Sequence, residues 1–361
     1  MKSQLPLPHE DLEQVFEQVG ALWEKFRDKR LFLTGGSGFF GSWLLETLLF
    51  AENRKHLGVE VWVLTRNLDR FRTKLPYLAG HPAVRLVEGM AEDFQYPGER
   101  MNFVIHSMVP DPGLPPEEME RWFARGTQRL LELAVRDRSE GFLLCSTGAV
   151  YQPQGRPLSE EDPLVPLDGP LTYGRIRRQV EEQCMEICQK HGIPLKVARG
   201  FSFIGPRLPE NAGFAMADFI ADARAGRNIT VKGDGTPVRS YLHAADMTTW
   251  LWKILLHETN RQIFNVGSEE AIRLADLAEL VAKLTSSQVE IMGSNPGTTS
   301  NNVIYTPLVT KSRSHLRLSR PRTLLQSLEG ETTFRCEPIK NGCGILLPGK
   351  RLRTFPEKDK G

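Results

Sequence analysis

Three glycines at Gly-x-x-Gly-x-x-Gly spacing, Gly35, Gly38 and Gly41, stand directly behind the apolar run Leu31-Phe32-Leu33, within Thr34-Gly35-Gly36-Ser37-Gly38-Phe39-Phe40-Gly41. A strand that ends in closely spaced glycines and runs straight into a helix lets backbone N–H groups approach a pyrophosphate, and the helix N-terminus adds partial positive charge. A Cβ at the first or second glycine would block that approach. Phe40, Leu44, Leu45, Leu48 and Leu49 follow at helical spacing, so the loop reads as a dinucleotide site in preference to an ordinary strand-to-helix turn. Gly35, Gly38, Phe39, Phe40 and Gly41 would form the cradle, at a spacing that differs from the better-known Gly-x-Gly-x-x-Gly. Farther on, Tyr173 and Arg177 lie four residues apart in a helical pattern and project from one face, Glu181 continues that line, and Thr147 sits just past an apolar strand.

Regular elements must hold these groups in place. From Arg30 short β-rich runs alternate with helical stretches, and the expected strands are Leu31–Thr34, Val59–Thr65, Val84–Glu88, Phe103–Ser107, Phe142–Ser146 and Leu195–Arg199. That alternation predicts an α/β fold with a doubly wound parallel sheet. Ahead of it, Leu12, Val15, Val19, Leu22 and Phe26 mark one face of a helix from Asp11 to Phe26, expected to dock on the main domain. After Arg199 the rhythm breaks into segments punctuated by Gly205-Pro206, Gly233-Asp234-Gly235 and Pro237, as in a smaller substrate-binding α/β domain, and Phe264-Asn265-Val266-Gly267 reads as a return to the sheet. The expected division is a helical extension over 1–29, a dinucleotide-binding domain over 30–200 completed near 262–268, a substrate domain over 201–330, and an irregular tail over 331–361.

A chain of 361 residues with 40% hydrophobic content can bury a large core, and a net charge of +2 selects no partner. No apolar run reaches membrane-spanning length and Met1-Lys2-Ser3-Gln4-Leu5-Pro6 lacks the apolar core of a signal peptide, so a cytoplasmic protein without a membrane partner is expected. Cys184 and Cys188 share the stripe Ile176, Val180, Cys184, Ile187 and read as core thiols, while Cys336 and Cys343 have no histidine near them, so no metal centre is expected. The basic run Lys311, Arg313, Arg317, Arg320, Arg322 has no interleaved aromatic residues and reads as a solvated pocket rim, not a nucleic-acid surface.

The order of glycine loop, Ser146-Thr147 at a strand end with Val150-Tyr151 after it, Tyr173-x-x-x-Arg177, Arg199 to Phe201-Ser202-Phe203-Ile204-Gly205-Pro206, and Gly233-Asp234-Gly235-Thr236-Pro237-Val238-Arg239-Ser240-Tyr241 resembles the extended short-chain dehydrogenase/reductase family. More narrowly, it is similar to the nucleotide-sugar epimerase/dehydratase branch, over about Arg30 to Leu325. The resemblance implies a Rossmann-type sheet, a nicotinamide cofactor, a nucleoside-diphosphate sugar as partner, and a homodimer paired through two helices, one carrying the tyrosine. It makes Tyr173 the acid/base, Thr147 the partner of the substrate hydroxyl, and the residue at 177 the cation that stabilises the phenolate and holds the nicotinamide ribose. Such a cation is needed, because a tyrosine of pKa ~10 is a poor base at neutral pH. One charge at ~4 Å in an effective dielectric of ~20 is worth ~4 kcal/mol, roughly three pKa units. The family residue there is lysine; this chain has Arg177, longer, planar and forked.

The same resemblance narrows the reaction. Family dehydratases carry an Asp-Glu pair after the threonine, and decarboxylases tend to carry a carboxylate at the second of those positions, whereas this chain has Gly148-Ala149. Epimerisation at C4 or reduction of a keto-sugar is therefore expected, with a 4,6-dehydratase, or a weakly active NADP-binding sensor or scaffold, as the alternatives. No acidic residue follows Val61-Trp62-Val63-Leu64-Thr65, and Arg66 there would pair with a 2′-phosphate, which favours NADP over NAD. Met90 stands where relatives place an aspartate that touches adenine, and His106 and Ser107 occupy the fourth-strand position that lines the cofactor. Arg239 is expected to clamp the sugar-nucleotide diphosphate, with Ser202 in place of a family asparagine beside it.

Overall fold

The computed structural model describes residues 3–110, 113–210, 213–293 and 303–332. Its strands include β1 (Arg30–Thr34), β2 (Glu60–Thr65), β3 (Val84–Glu88), β4 (Phe103–His106), β5 (Gly141–Thr147), β6 (Leu195–Gly200), β7 (Val238–Ser240), β8 (Gln262–Val266) and β9 (Ile304–Tyr305). Seven of these form one sheet in the order β8-β6-β5-β4-β1-β2-β3. Every pairing in it is parallel. Its central strands β1, β4 and β5 are largely apolar, with Phe142, Leu143 and Leu144 fully buried, because helices cover both faces. The chain leaves β1 toward β2 and β3 on one side and returns through β4 on the other. The strand order therefore reverses between β1 and β4, and open α/β sheets bind ligands at such a switch point, in the crevice outside the carboxyl ends of the strands.

The helices that position the site are α1 (His9–Val19), α2 (Phe39–Lys55), α3 (Pro116–Asp137), α4 (Tyr173–His191) and α5 (Ala244–Leu255). On one sheet face α1, α2 and α5 share a core that includes Val15, Trp43, Leu48, Trp250 and Trp252. On the other, α3 and α4 bury Phe123, Leu130, Ile176, Val180, Cys184 and Cys188. Burial pushes the Cys188 thiol up to about 12, as befits a core group. A separate cluster of Ile204, Met216, Phe219, Leu277 and Val281 forms the interior of the second lobe.

One expectation needs correcting. The run from Asp11 to Phe26 is not a single α-helix: α1 ends at Gly20, whose φ of 59° takes the left-handed region, and Gly20–Phe26 continues as a 3₁₀ helix. Apolar spacing cannot separate the two, because periods of 3 and 3.6 bury nearly the same residues over two turns. The docking itself is firm, with Trp23 edge-on to Trp252 at 5.5 Å. Arg322 adds a clasp, reaching Asp11 at 2.6 Å through its guanidinium and donating its backbone N–H to Asp246 at 3.0 Å. That basic residue is thus a strut between α1, α5 and the second lobe.

No helix among the described residues is long and apolar enough to cross a membrane, and none of their His, Cys, Asp and Glu side chains gather in threes able to hold a metal. Cys336, Cys343 and nearly all of the expected tail lie outside the described residues.

Candidate active site

The glycine loop follows β1 and closes on itself, with the Gly38 N–H donating to the Gly35 carbonyl at 2.8 Å and the Ser42 N–H to Gly38 at 3.0 Å. Gly35 has φ +70°, and a Cβ there would stand 2.6 Å from the Ser107 carbonyl oxygen, so the loop lies directly against the end of β4. Ser107 locks the two strand ends together, its Oγ donating to the Thr34 carbonyl at 2.6 Å. A Cβ on Gly41 would sit inside the contact radius of the same Gly35 carbonyl, whereas one on Gly38 would meet only that oxygen, at 3.1 Å. The loop therefore packs tightly behind Gly35 and Gly41 and stays uncrowded at Gly38, the N-cap of α2, which is the geometry a pyrophosphate cradle requires. Lys74 supports it from outside by donating to the Ser37 carbonyl at 2.5 Å. Gly41→Ala should accordingly weaken cofactor binding at least about tenfold, since α2 or the loop must shift to admit the methyl. A fluorescence titration with NADH measures this, and an unchanged affinity would remove the cradle from that loop.

Thr147 ends β5 in extended conformation, and its Oγ1 accepts the Ala149 N–H at 3.2 Å, which turns the chain into a 3₁₀ turn over Gly148–Val150. Tyr173 is the first residue of α4, whose N-cap Thr172 accepts the Arg175 N–H at 3.2 Å. The next residue, Gly174, lets the helix press on that turn, because any Cβ there would collide with the Ala149 carbonyl. Helix start and strand end are thus brought side by side. Tyr173 keeps 40% of its surface exposed, and its hydroxyl has no hydrogen-bond partner among the described residues.

Arg177, one turn farther along α4, is buried. It is 1% exposed, donates through Nη2 to the Cys145 carbonyl at 2.6 Å, and lies 4.6 Å from the Phe123 ring centroid. Its Nε and Nη1 make no hydrogen bond, and among the described residues no carboxylate pairs with it. The charge is therefore held at the Cys145 carbonyl, just before the Ser146-Thr147 strand end, with almost no surface exposed. Glu181, on the same face, instead binds Arg199 at 2.6 Å and accepts the Ser146 hydroxyl at 2.5 Å. This buried pair, with Arg199 over the Tyr151 ring at 4.7 Å, forms the floor under Thr147.

His106 is fully buried, with Nε2 3.0 Å from Thr127 Oγ1, so it too lacks surface facing the crevice; Ser107 is the residue of that pair that meets the glycine loop. Burial, and after it the Arg177 charge, pushes the His106 imidazole down to about 3. The sign follows. An unfolded chain protonates this histidine near its ordinary pKa while the folded one does not, so its contribution to stability is present above about 6.5 and is lost as pH falls toward 3. Between pH 7.5 and 5.5 the wild type should lose on the order of 1 kcal/mol more than His106→Asn. Urea unfolding at both pH values checks this, and parallel losses would refute it.

Arg66 and Met90 are both exposed, just past β2 and β3. Arg239 lies in β7, donates to the Val303 carbonyl at 3.1 Å, and stands over the Tyr305 ring at 5.4 Å; Ser202 is half-buried beside β6. Tyr305 is the residue that sequence reasoning missed: its hydroxyl is 3.4 Å from Thr147 Oγ1.

A seven-stranded Rossmann-type sheet, a glycine cradle at its switch point and a tyrosine set beside a strand-end threonine define a dinucleotide-binding protein of the extended short-chain dehydrogenase type. The chain belongs to the NAD dependent epimerase/dehydratase family, whose model matches residues 31–267. It is 28% identical over 295 residues to UDP-glucuronic acid decarboxylase 1 of Xenopus tropicalis, covering 78% of this chain and 67% of that one. Its fold matches UDP-glucuronic acid 4-epimerase from Bacillus cereus, solved in complex with NAD, at a TM-score of 0.69 and 20% identity, covering 83% of this chain and 96% of that one. It also matches dTDP-glucose 4,6-dehydratase from Bacillus anthracis at a TM-score of 0.68 and 17% identity, covering 84% and 95%.

Proposed function

We propose that this protein is a sugar-nucleotide 4-epimerase or keto-sugar reductase. The observation that carries the reading is the placement of the Tyr173 phenol, exposed at a helix start pressed against the turn after Thr147, on the strand-end side where the glycine cradle opens. The cradle residues Gly35, Gly38, Phe39, Phe40 and Gly41, with Ser107, would hold NAD or NADP, which when bound takes up a hydride from the sugar carbon and gives it back. Tyr173 accepts the proton of the sugar hydroxyl and returns it, Thr147 hydrogen-bonds the same oxygen, and Arg239 with Ser202 holds the diphosphate from the second-lobe side. Arg177 lends its charge.

Nothing at 148 or 149 can move a proton, since Gly148 and Ala149 carry no titratable group, which disfavours elimination across the sugar ring. Likeness to a UDP-glucuronic acid decarboxylase favours decarboxylation as the second reading. On the cofactor, family membership argues for NAD, and Arg66 in place of an acidic residue after β2 argues for NADP.

The deciding experiment incubates the purified protein with NAD⁺, NADP⁺ or NADPH and a panel of UDP-, dTDP-, CDP- and GDP-sugars, including uronic and 4-keto forms, and identifies products by mass spectrometry and chromatography. An isomer of unchanged mass means epimerase, and a gain of two hydrogens means reductase. Loss of carbon dioxide means decarboxylase, and loss of water means dehydratase. A protein that binds cofactor and turns over none of them is a sensor or scaffold.

A further inference from the structure

Tyr305 comes from the far end of the chain and closes the site from the second lobe. Its strand β9 pairs in parallel with β7, so Tyr305 lies opposite Arg239 in register. Its ring packs on Phe201 at 4.9 Å between centroids, in the small cluster that includes Val150 and Tyr151, and the Arg239 guanidinium stands over it at 5.4 Å. Thr147 Oγ1, the Ala149 amide and Tyr173 all lie close enough to act on its hydroxyl. One phenol therefore touches the threonine, neighbours the acid/base tyrosine and supports the arginine of the proposed site.

The contact between Thr147 Oγ1 and the Tyr305 hydroxyl can run either way, and the hydrogen-bond inventory of Thr147 shows what each direction would leave for the substrate. A threonine hydroxyl has one donor and two lone pairs. One lone pair already accepts the Ala149 N–H. If Thr147 donated to Tyr305, only a lone pair would be left for the substrate, and Thr147 would compete with Tyr173 for the single proton of the sugar hydroxyl. If Tyr305 donates instead, both lone pairs are used, and Thr147 can only donate to the sugar oxygen. The sugar proton is then left to Tyr173, and a keto oxygen at the same place receives two donors, Thr147 and the protonated Tyr173. Burial pushes the Tyr305 phenol up to about 12, which keeps it a neutral donor throughout the working range of pH.

We propose that Tyr305 is a positioning residue that fixes Thr147 as a hydrogen-bond donor to the reacting sugar oxygen, while its ring supports Arg239 at the diphosphate. The proposal rests on the reading of Thr147, Tyr173 and Arg239 given above.

The test is Tyr305→Phe, which keeps the ring, its packing on Phe201 and its place under Arg239, and removes only the hydroxyl. With the nucleotide sugar that the wild type turns over, kcat should fall about 10- to 50-fold while KM stays within about threefold, the signature of an interaction that matters in the transition state. Tyr305→Leu should raise KM as well. The double variant Thr147→Val/Tyr305→Phe should be no slower than Thr147→Val alone, because the phenol acts through the threonine; a merely structural role would give additive losses. A kcat for Tyr305→Phe within twofold of wild type, or additivity in the double variant, overturns the proposal and leaves the proposed function standing when Tyr173→Phe is inactive. Undiminished turnover by Tyr173→Phe overturns the proposed function instead. A wild type that neither turns over any sugar of the panel nor binds UDP-glucose or UDP-glucuronic acid in calorimetry overturns both.

Discussion

Tyr173→Phe is expected to lower turnover by at least about a thousandfold, toward the upper end of what loss of a general acid/base costs, while NADH affinity stays within about twofold. The substitution removes one oxygen and keeps the ring. That oxygen has no hydrogen-bond partner among the described residues, and the side chain is 40% exposed, so the fold loses no contact that it depends on. The melting temperature should not move. Thr172 still caps the helix, and Gly174 still seats it on the Ala149 carbonyl, so the geometry that would present a phenol to the sugar stays intact without the phenol. Stopped-flow absorbance at the reduced nicotinamide band, in a single turnover with the sugar nucleotide identified by the product screen, reads the hydride step directly. A variant that turns over at the wild-type rate would remove Tyr173 from the chemistry.

What the sequence disclosed follows the range of the interactions involved. The parallel strands were legible because a sheet covered on both faces needs apolar runs, and Val84–Glu88 falls on β3 to the residue. The tight glycine loop was legible because a few adjacent residues make the whole of its turn, and the placement of Tyr173 and Arg177 on one helix because i and i+4 share a helix face whatever else surrounds them. What that face would meet was hidden. Whether Arg177 looks into the crevice or back onto Phe123 and the Cys145 carbonyl depends on α3 and β5, which periodicity within α4 does not report. His106 is the same case in a strand, where alternation gives the face but not what Thr127 and Phe142 do there. Tyr305 stands 158 residues from Thr147 on a two-residue strand, beyond any local signal. The one cue was that Tyr305 stands in the short apolar run Val303-Ile304-Tyr305, after the last clear motif.

Arg177→Met separates the two roles that a buried cation can have. As placed, the guanidinium has one carbonyl and one aromatic face for company, two nitrogen positions without a partner, and no carboxylate among the described residues. Taking a charge out of water on those terms costs stability, and a shorter, apolar and adaptable methionine would pack against Phe123 without that cost. The variant should therefore be as stable as the wild type or more so, by up to about 3 kcal/mol in urea unfolding. It should also relieve the repulsion that Arg177 adds to the burial of His106. Under the proposed function turnover should move the opposite way and fall at least about a hundredfold, because Tyr173 would lose the cation that assists it. Arg177→Lys divides the effect further. It keeps the charge in a compact ammonium on a shorter stem that is free to turn toward the crevice, and gives up the planar stack on Phe123. A rate above wild type would mean that the arginine is tolerated in a site laid out for an ammonium. A rate between those of wild type and Arg177→Met would mean that the site was rebuilt around the guanidinium. If Arg177→Met instead loses stability and keeps its turnover, the residue is structural, and the cation that the phenol needs must come from elsewhere.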